Sequence, residues 1–381
     1  MRKAFFSLIA VALVGLWSGE ASAQGTALPW GQSSDMAAWE TFLQITSPSG
    51  AAGSRNVEFE TWASDQDIYQ LKPHWPVTGE PKRLQVSALS QAHFAGGISI
   101  QTITPDQCQP PAQPPAGNFP SKPACIGEEV RRNWASYQYI VGNGLNTKAG
   151  LIAAAIKGFK VDLPEDAIEV KGDWVKVRDL LAWIPALKTP EKVREVYYTN
   201  MVTSGSTTTE YALVGLAIST KQIKNWVWAT FENQMSPGRC DDIGCRDSYG
   251  AAVADVKKAA SPNTYYGECV KSAAVAAMFT NAGTNPVWNN YCLKGSQITF
   301  TNLDSSPTLL GNSVVERINA SVPIPRSSCI TCHGYAAFNQ QGDKNSAVLR
   351  VPANSPIGEV DQSMMQGWTL NDFLWGVLFA K

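Results

Sequence analysis

Histidine is scarce in this chain: His74, His93 and His333 are the three among 381 residues. That leaves little material for Ser–His–Asp or Cys–His catalysis, and no recognisable nucleophile motif lies near His74 or His93. Excess charge of one sign is lacking as well. With 31 basic and 32 acidic side chains the formal net charge is −1, which gives no electrostatic case for nucleic acid or an anionic membrane surface. Past the N-terminus no apolar run approaches the ~18 residues that span a bilayer. No repeat of fixed period occurs, which excludes a solenoid or propeller array.

The N-terminus has its own pattern. Arg2 and Lys3 precede an apolar run from Ala4 to Trp17, and Ala21-Ser22-Ala23 supplies small residues at the spacing signal peptidase accepts. Residues 1–23 are expected to be a signal peptide cleaved before Gln24, which places the mature protein in the bacterial periplasm with no stable membrane span. The alternative is a buried N-terminal helix.

Eight cysteines fit an oxidising compartment: Cys108, Cys125, Cys240, Cys245, Cys269, Cys292, Cys329 and Cys332. Chain proximity favours pairing Cys108–Cys125, Cys240–Cys245 and Cys269–Cys292, because short loops close at the lowest entropic cost. Between the first pair, residues 105–125 carry seven prolines. That density excludes helix and central strand and reads as an extended surface loop, either a pinned insertion or a partner-binding lobe.

The periodicity predicts an α+β fold. Residues 39–86 show no sustained period. Val130, Trp134, Tyr137 and Val141 share one helical face, which predicts a helix over 128–141, and a second helix is expected over 147–157. Residues 167–177, 193–203, 210–219, 225–231 and 297–301 are rich in β-branched and aromatic side chains and read as strands of a mostly antiparallel sheet. Helices are expected within 171–187, over 272–279, and over 373–380 behind a possible capping box at Thr369-Leu370-Asn371-Asp372. The domain reading is an α+β unit over 24–310 and a short helical segment over 311–381.

That last segment carries the strongest chemical signal, Cys329-Ile330-Thr331-Cys332-His333. Cys-x-x-Cys-His is the pattern for covalent attachment of haem c. On a helical turn positions i, i+3 and i+4 share a face, so Cys329 and Cys332 can bond two haem edges while His333 faces the iron as proximal ligand. Ser327-Ser328 suits the helix N-cap. Gly334, Ala336 and Ala337 would let a flat ring approach. Competing readings are a thioredoxin-like redox pair, a zinc site and a plain disulfide, but no βαβ pattern and no second ligand cluster accompany the motif. Met364 or Met365 is the candidate distal ligand, with core packing as the bland alternative; His93, His74 or an open iron are the other options. Arg131 and Arg132 read as surface charges on the expected helix rather than partners for haem propionates. Asp241, Asp242 and Asp247 read as a solvated acidic turn rather than a Ca²⁺ loop.

Ser327 to Gly334, with Leu310-Gly311-Asn312-Ser313 and Glu316 before it, resembles a group of large bacterial single-haem cytochrome c family proteins with the motif near the C-terminus. Asn225 to Glu232 is similar to a Trp-x-Trp segment of that group, and Tyr211 to Ile218 and Ile168 to Lys171 extend the likeness over much of 166–334. The group often has His where Ala217 and Asn233 stand here, a departure that removes any second haem-facing role for those positions. The resemblance implies haem and export more than a reaction. The expected function is single-electron transfer to a redox partner protein. The chain is long for a simple carrier, so a haem-dependent oxidoreductase with an open iron and a haem-based redox or gas sensor remain alternatives. One wall of the haem site is expected from the central domain, through Trp226 or Trp228.

Overall fold

A computed structural model describes residues 28, 32–50, 56–77, 85–87, 126–204, 206–251, 255–256, 264–314, 316, 324–344 and 357–381. The expected signal peptide, the Pro-rich stretch, the Cys108–Cys125 pair and His93 lie outside the described residues. The chain runs through α1 (Ser34–Thr46), β1 (Ala63–Ser64), α2 (Asp65–Ile68), β2 (Gln85–Ser87), β3 (Ile126–Arg132), α3 (Trp134–Gly142) and α4 (Lys148–Ile156). Next come β4 (Ile168–Lys176), α5 (Val177–Trp183), α6 (Pro190–Val196), β5 (Thr199–Ser204), β6 (Thr207–Thr220) and β7 (Val227–Asn233). The remainder is β8 (Cys245–Arg246), β9 (Asp255–Val256), α7 (Ala273–Ala282), β10 (Tyr291–Gln297), α8 (Cys329–Gly334), β11 (Ala337–Phe338) and β12 (Thr369–Leu370).

The fold is α+β. Its main sheet has the order β1-β3-β4-β6-β7-β10, with β2 beside β3 and β5 beside β6, and every pairing is antiparallel. Side chains alternate across a strand, and here the two faces differ in chemistry. On one, Val170, Trp174, Leu216, Ile218, Phe231 and Leu293 pack with Trp39 and Phe42 of α1 and Phe279 of α7. On the other, register lines up Arg132, Glu169, Ser219, Trp228 and Gln297. The next row is Val130, Lys171, Ala217, Thr230 and Gly295. That second face is charged and rich in small residues, and residues from both sides of position 310 cover it.

Local chemistry accounts for the helix ends. Thr147 and Ser272 accept hydrogen bonds from Gly150 N and Val275 N at the starts of α4 and α7. Gly283 ends α7 in the left-handed region. The disulfides Cys240–Cys245 and Cys269–Cys292 are formed, as proximity predicted, with Cα separations of 4.9 Å and 5.7 Å.

Several expectations are corrected. Residues 128–132 belong to β3, and the helix begins only after Asn133, whose side chain accepts from Ser136 N and Ile168 N. The apolar spacing ran unbroken across a strand–helix junction. The strand expected from Val193 begins at Thr199, because Thr189 and Pro190 start α6. The strand expected at 297–301 is absent: β10 spans Tyr291–Gln297 and ends where that strand was expected to start. Helix α1 is buried on nearly all sides, so its sequence shows no single stripe. In place of a C-terminal helix, Thr369–Leu370 pairs with Ala337–Phe338, and Trp375–Phe379 forms a short 3-10 turn. Asp372 and Phe373 both have positive φ, 46° and 69°, a conformation that cannot start a right-handed helix.

Arg131 and Arg132 are strand residues and buried, at 7% and 1% exposure. Arg131 pairs with Glu129, and Arg132 with Asp65 and Glu169. Asp241 and Asp247 are also buried. Asp241 accepts from the Tyr266 hydroxyl, and Asp247 accepts from Trp39 Nε1 and Gly250 N. Neither a solvated turn nor surface charge describes them.

Candidate functional site

Helix α8 lies against the polar face of the sheet, held there by a residue from β10. Gln297 Oε1 accepts from Ile330 N at 3.1 Å, which satisfies one of the N–H groups that a helix start leaves open. Its Nε2 donates to Ser328 Oγ at 2.8 Å and to Thr308 Oγ1 at 2.6 Å. Ser328 occupies the N-cap position but makes no side-chain cap bond; its hydroxyl faces Gln297 and Thr331. Thr331 donates to the Gly358 carbonyl at 2.6 Å, and Leu310 N donates to the Ser327 carbonyl.

This anchoring buries Ile330 and Thr331 and leaves Cys329, Cys332 and His333 part-exposed on one side of the helix. The spacing i, i+3, i+4 therefore brings the three expected residues to one face. Cys329 and Cys332 are free thiols. Burial pushes both thiols up, Cys332 to about 12, and the Glu316 carboxylate adds to the effect. A redox-active or exchange-competent pair needs thiolate near neutral pH, and the upward direction of both shifts runs against the thioredoxin-like reading. Among the described residues no group of three or more His, Cys, Asp or Glu is arranged to hold a metal ion. A zinc reading thus finds no further described donors.

His333 is set up differently. Its Nδ1 lies 2.8 Å from the Phe373 carbonyl oxygen. A carbonyl only accepts, so Nδ1 carries the proton and the lone pair sits on Nε2. Burial pushes the imidazole down to about 4, with Lys171 and Arg132 also opposing a positive charge there. The side chain is neutral at pH 7, in the form that ligates a metal. Trp228 packs on the ring at 4.6 Å between centroids, and on Phe373 at 5.8 Å. Trp226 lies one step back, 6.3 Å from Trp228. Gly334 is tight: a Cβ there would come within 2.6 Å of Val360 Cγ2, with Phe300 and Phe373 next. Ala336 and Ala337 are buried, so their small size serves internal packing rather than an open approach.

Other candidates fall elsewhere. Met364 is 39% exposed, whereas Met365 is buried with Tyr335, Ala337, Val360, Trp368 and Trp375, directly after α8. His74 is 44% exposed beside Asp67 and shares a hydrogen bond with Gln70. Ala217 lies opposite Lys171 on the polar face, and Asn233 Nδ2 donates to the Val196 carbonyl. Gln297 and Phe373 carry no motif signal; only the fold brings them to α8.

The donor set suits a covalently held haem: two unbridged thiols and a neutral imidazole with Nε2 unprotonated share one partly open face. Among the described residues no helix is long and apolar enough to cross a membrane. No family model, curated protein or solved structure matches the chain, so the cytochrome c resemblance rests on the motif and its neighbouring segments alone.

Proposed function

We propose that this is an exported, periplasmic protein carrying one haem c, attached through Cys329 and Cys332 with His333 as proximal iron ligand, and that it passes single electrons to a redox partner protein. The observation that carries the reading is the state of His333: its Nδ1–H is committed to the Phe373 carbonyl, and its Nε2 is left for a metal. When bound, the haem iron supplies a one-electron couple. The chain's own residues fix its surroundings. Gln297 holds the helix start, Phe373 holds the imidazole tautomer, and Trp228 backs the ring. Before the haem is attached, burial holds both thiols above the usual range, which disfavours disulfide exchange. Of the two methionines, Met365 suits a distal ligand better because it is buried beside the segment leaving α8.

A second reading keeps the iron open for a substrate. Lys171 and Glu316 exert charge on Cys329 and Cys332, and a charged wall beside haem suits a polar substrate or gas ligand. An optical spectrum decides between the readings, taken on protein from the periplasm of a cytochrome-c-maturing host, oxidised and then dithionite-reduced, with and without CO. A sharp c-type spectrum indifferent to CO is the expected result. A CO-shifted spectrum would favour the oxidoreductase or sensor, and protein without covalent haem would overturn both.

A further inference from the structure

Non-glycine residues with positive φ are uncommon, and bulky ones cost backbone energy that surrounding contacts must offset. Among the described residues, Trp226 (φ 61°), Asp372 (46°) and Phe373 (69°) are three such positions, and they meet in one network around His333. The Asp372 carboxylate receives Lys221 Nζ on both oxygens, at 2.7 Å and 2.8 Å. It also accepts from Trp226 Nε1 at 3.2 Å and from Leu163 N at 2.7 Å. Lys221 reaches Asp162 as well, at 3.0 Å, and the side chains of Lys221 and Asp372 are only 5% and 6% exposed. On the other flank Asn371 N donates to the Ala336 carbonyl, and Asn371 Nδ2 donates to the Leu374 carbonyl. The turn held between these anchors offers the Phe373 carbonyl to His333 Nδ1.

We infer that Lys221 and Asp372 form a positioning pair: they hold the left-handed turn at 372–373 so that the Phe373 carbonyl keeps its hydrogen bond to His333, and thereby set how strongly His333 donates to iron. The inference rests on the haem reading. A carbonyl accepting the Nδ1–H makes the imidazole a stronger donor, which favours the ferric state and lowers the reduction potential. Loosening the turn weakens that bond and raises the potential. Neither residue touches the iron ligand itself.

Two substitutions separate positioning from simple charge. Asp372→Asn removes a negative charge and Lys221→Met removes a positive one, so direct electrostatics would move the potential in opposite directions. Positioning moves it upward in both. The measurement is the midpoint potential of full-length haem-loaded protein by spectroelectrochemistry. It is paired with the ¹H–¹⁵N signal of His333 Nδ1–H in haem-free protein, which is expected in the wild type and weakened in both variants. Upward shifts in both variants support the pair; shifts of opposite sign, or none, overturn it while leaving the haem reading intact. Wild-type protein without covalent haem would overturn the reading and this inference together. If either charge variant fails to fold, Trp226→Phe removes the indole N–H from Asp372 together with part of the ring beside Trp228 and Lys221; a smaller upward shift supports the pair and no shift overturns it.

Discussion

The imidazole of His333 and the indole of Trp228 are 4.6 Å apart between centroids at an interplanar angle of 49°. A strand of the central sheet therefore forms one side of the Cys-x-x-Cys-His site. Ile330, Phe338, Leu374 and Val377 share a buried cluster with Trp228, Tyr137 and Leu151, so the segment after 310 packs into the central core besides holding its own small cluster around Met365.

Trp228→Ala should cost about 3–5 kcal/mol of stability, as truncation of a buried aromatic does. It should also move the His333 pKa of haem-free protein up toward its ordinary value, because burial is what depresses it. Chemical denaturation and an NMR titration read the two effects. A fragment from Asn312 to Lys381 should fail to give a native haem spectrum for the same reason.

Haem-free protein should lose stability on acidification through His333. Its folded pKa, about 4, lies below the ordinary 6.5, so the unfolded chain binds the proton first. Stability is fully present above pH 6.5 and falls as the pH drops toward 4. The difference between wild type and His333→Gln should span on the order of 2–3 kcal/mol across that window. Denaturant midpoints at several pH values measure it, and parallel curves for the two proteins would contradict it.

The Cys269–Cys292 bridge closes a loop of 23 residues in sequence separation, against 5 for Cys240–Cys245. Chain entropy assigns about 3 kcal/mol to the longer loop and about 2 kcal/mol to the shorter. Cys269→Ala/Cys292→Ala should accordingly lower the thermal midpoint more than Cys240→Ala/Cys245→Ala.

At Gly376 an added Cβ would meet the Tyr69 hydroxyl at 2.3 Å and an Arg132 guanidinium nitrogen at 2.5 Å. Gly376→Ala should destabilise by about 1–3 kcal/mol through overpacking. It would also disturb Arg132 between Asp65 and Glu169, and calorimetry would register the loss.

Much of the central sheet was legible because β4, β6 and β7 are rich in β-branched and aromatic residues, with turn formers between them. Helices α4 and α7 were legible as helical stretches over 147–157 and 272–279, and Thr147 and Ser272 cap their starts. Helix α1 was not, since a helix buried all round has no stripe to read. Strand β3 was hidden because Val130 happens to continue the spacing of Trp134 and Tyr137. Within the site, Cys329, Cys332 and His333 follow from helical geometry alone. Phe373 and Gln297 do not, because their partners are 40 and 33 residues away and hydrogen-bonding side chains or carbonyls carry no signature at such range. Arg132 and Glu169 face each other across β3 and β4, a pairing that charge patterning along the chain does not encode.

The cluster beneath α8 gathers residues from Ala63 to Ala380, and Lys148 N closes it by donating to the Lys381 carbonyl at 2.6 Å. Closing contacts of such sequence separation is slow, because the entropy of the intervening chain must be lost before burial rewards it. Leu310, Trp228 and Tyr137 precede the cysteines in the chain, but Leu374, Val377 and Ala380 of the same cluster follow them, so the cluster closes only once the C-terminus is in place. Until then the side of α8 that carries Cys329, Cys332 and His333 is more open than its part-exposed state in the folded protein, and the speed of closure sets how long that lasts.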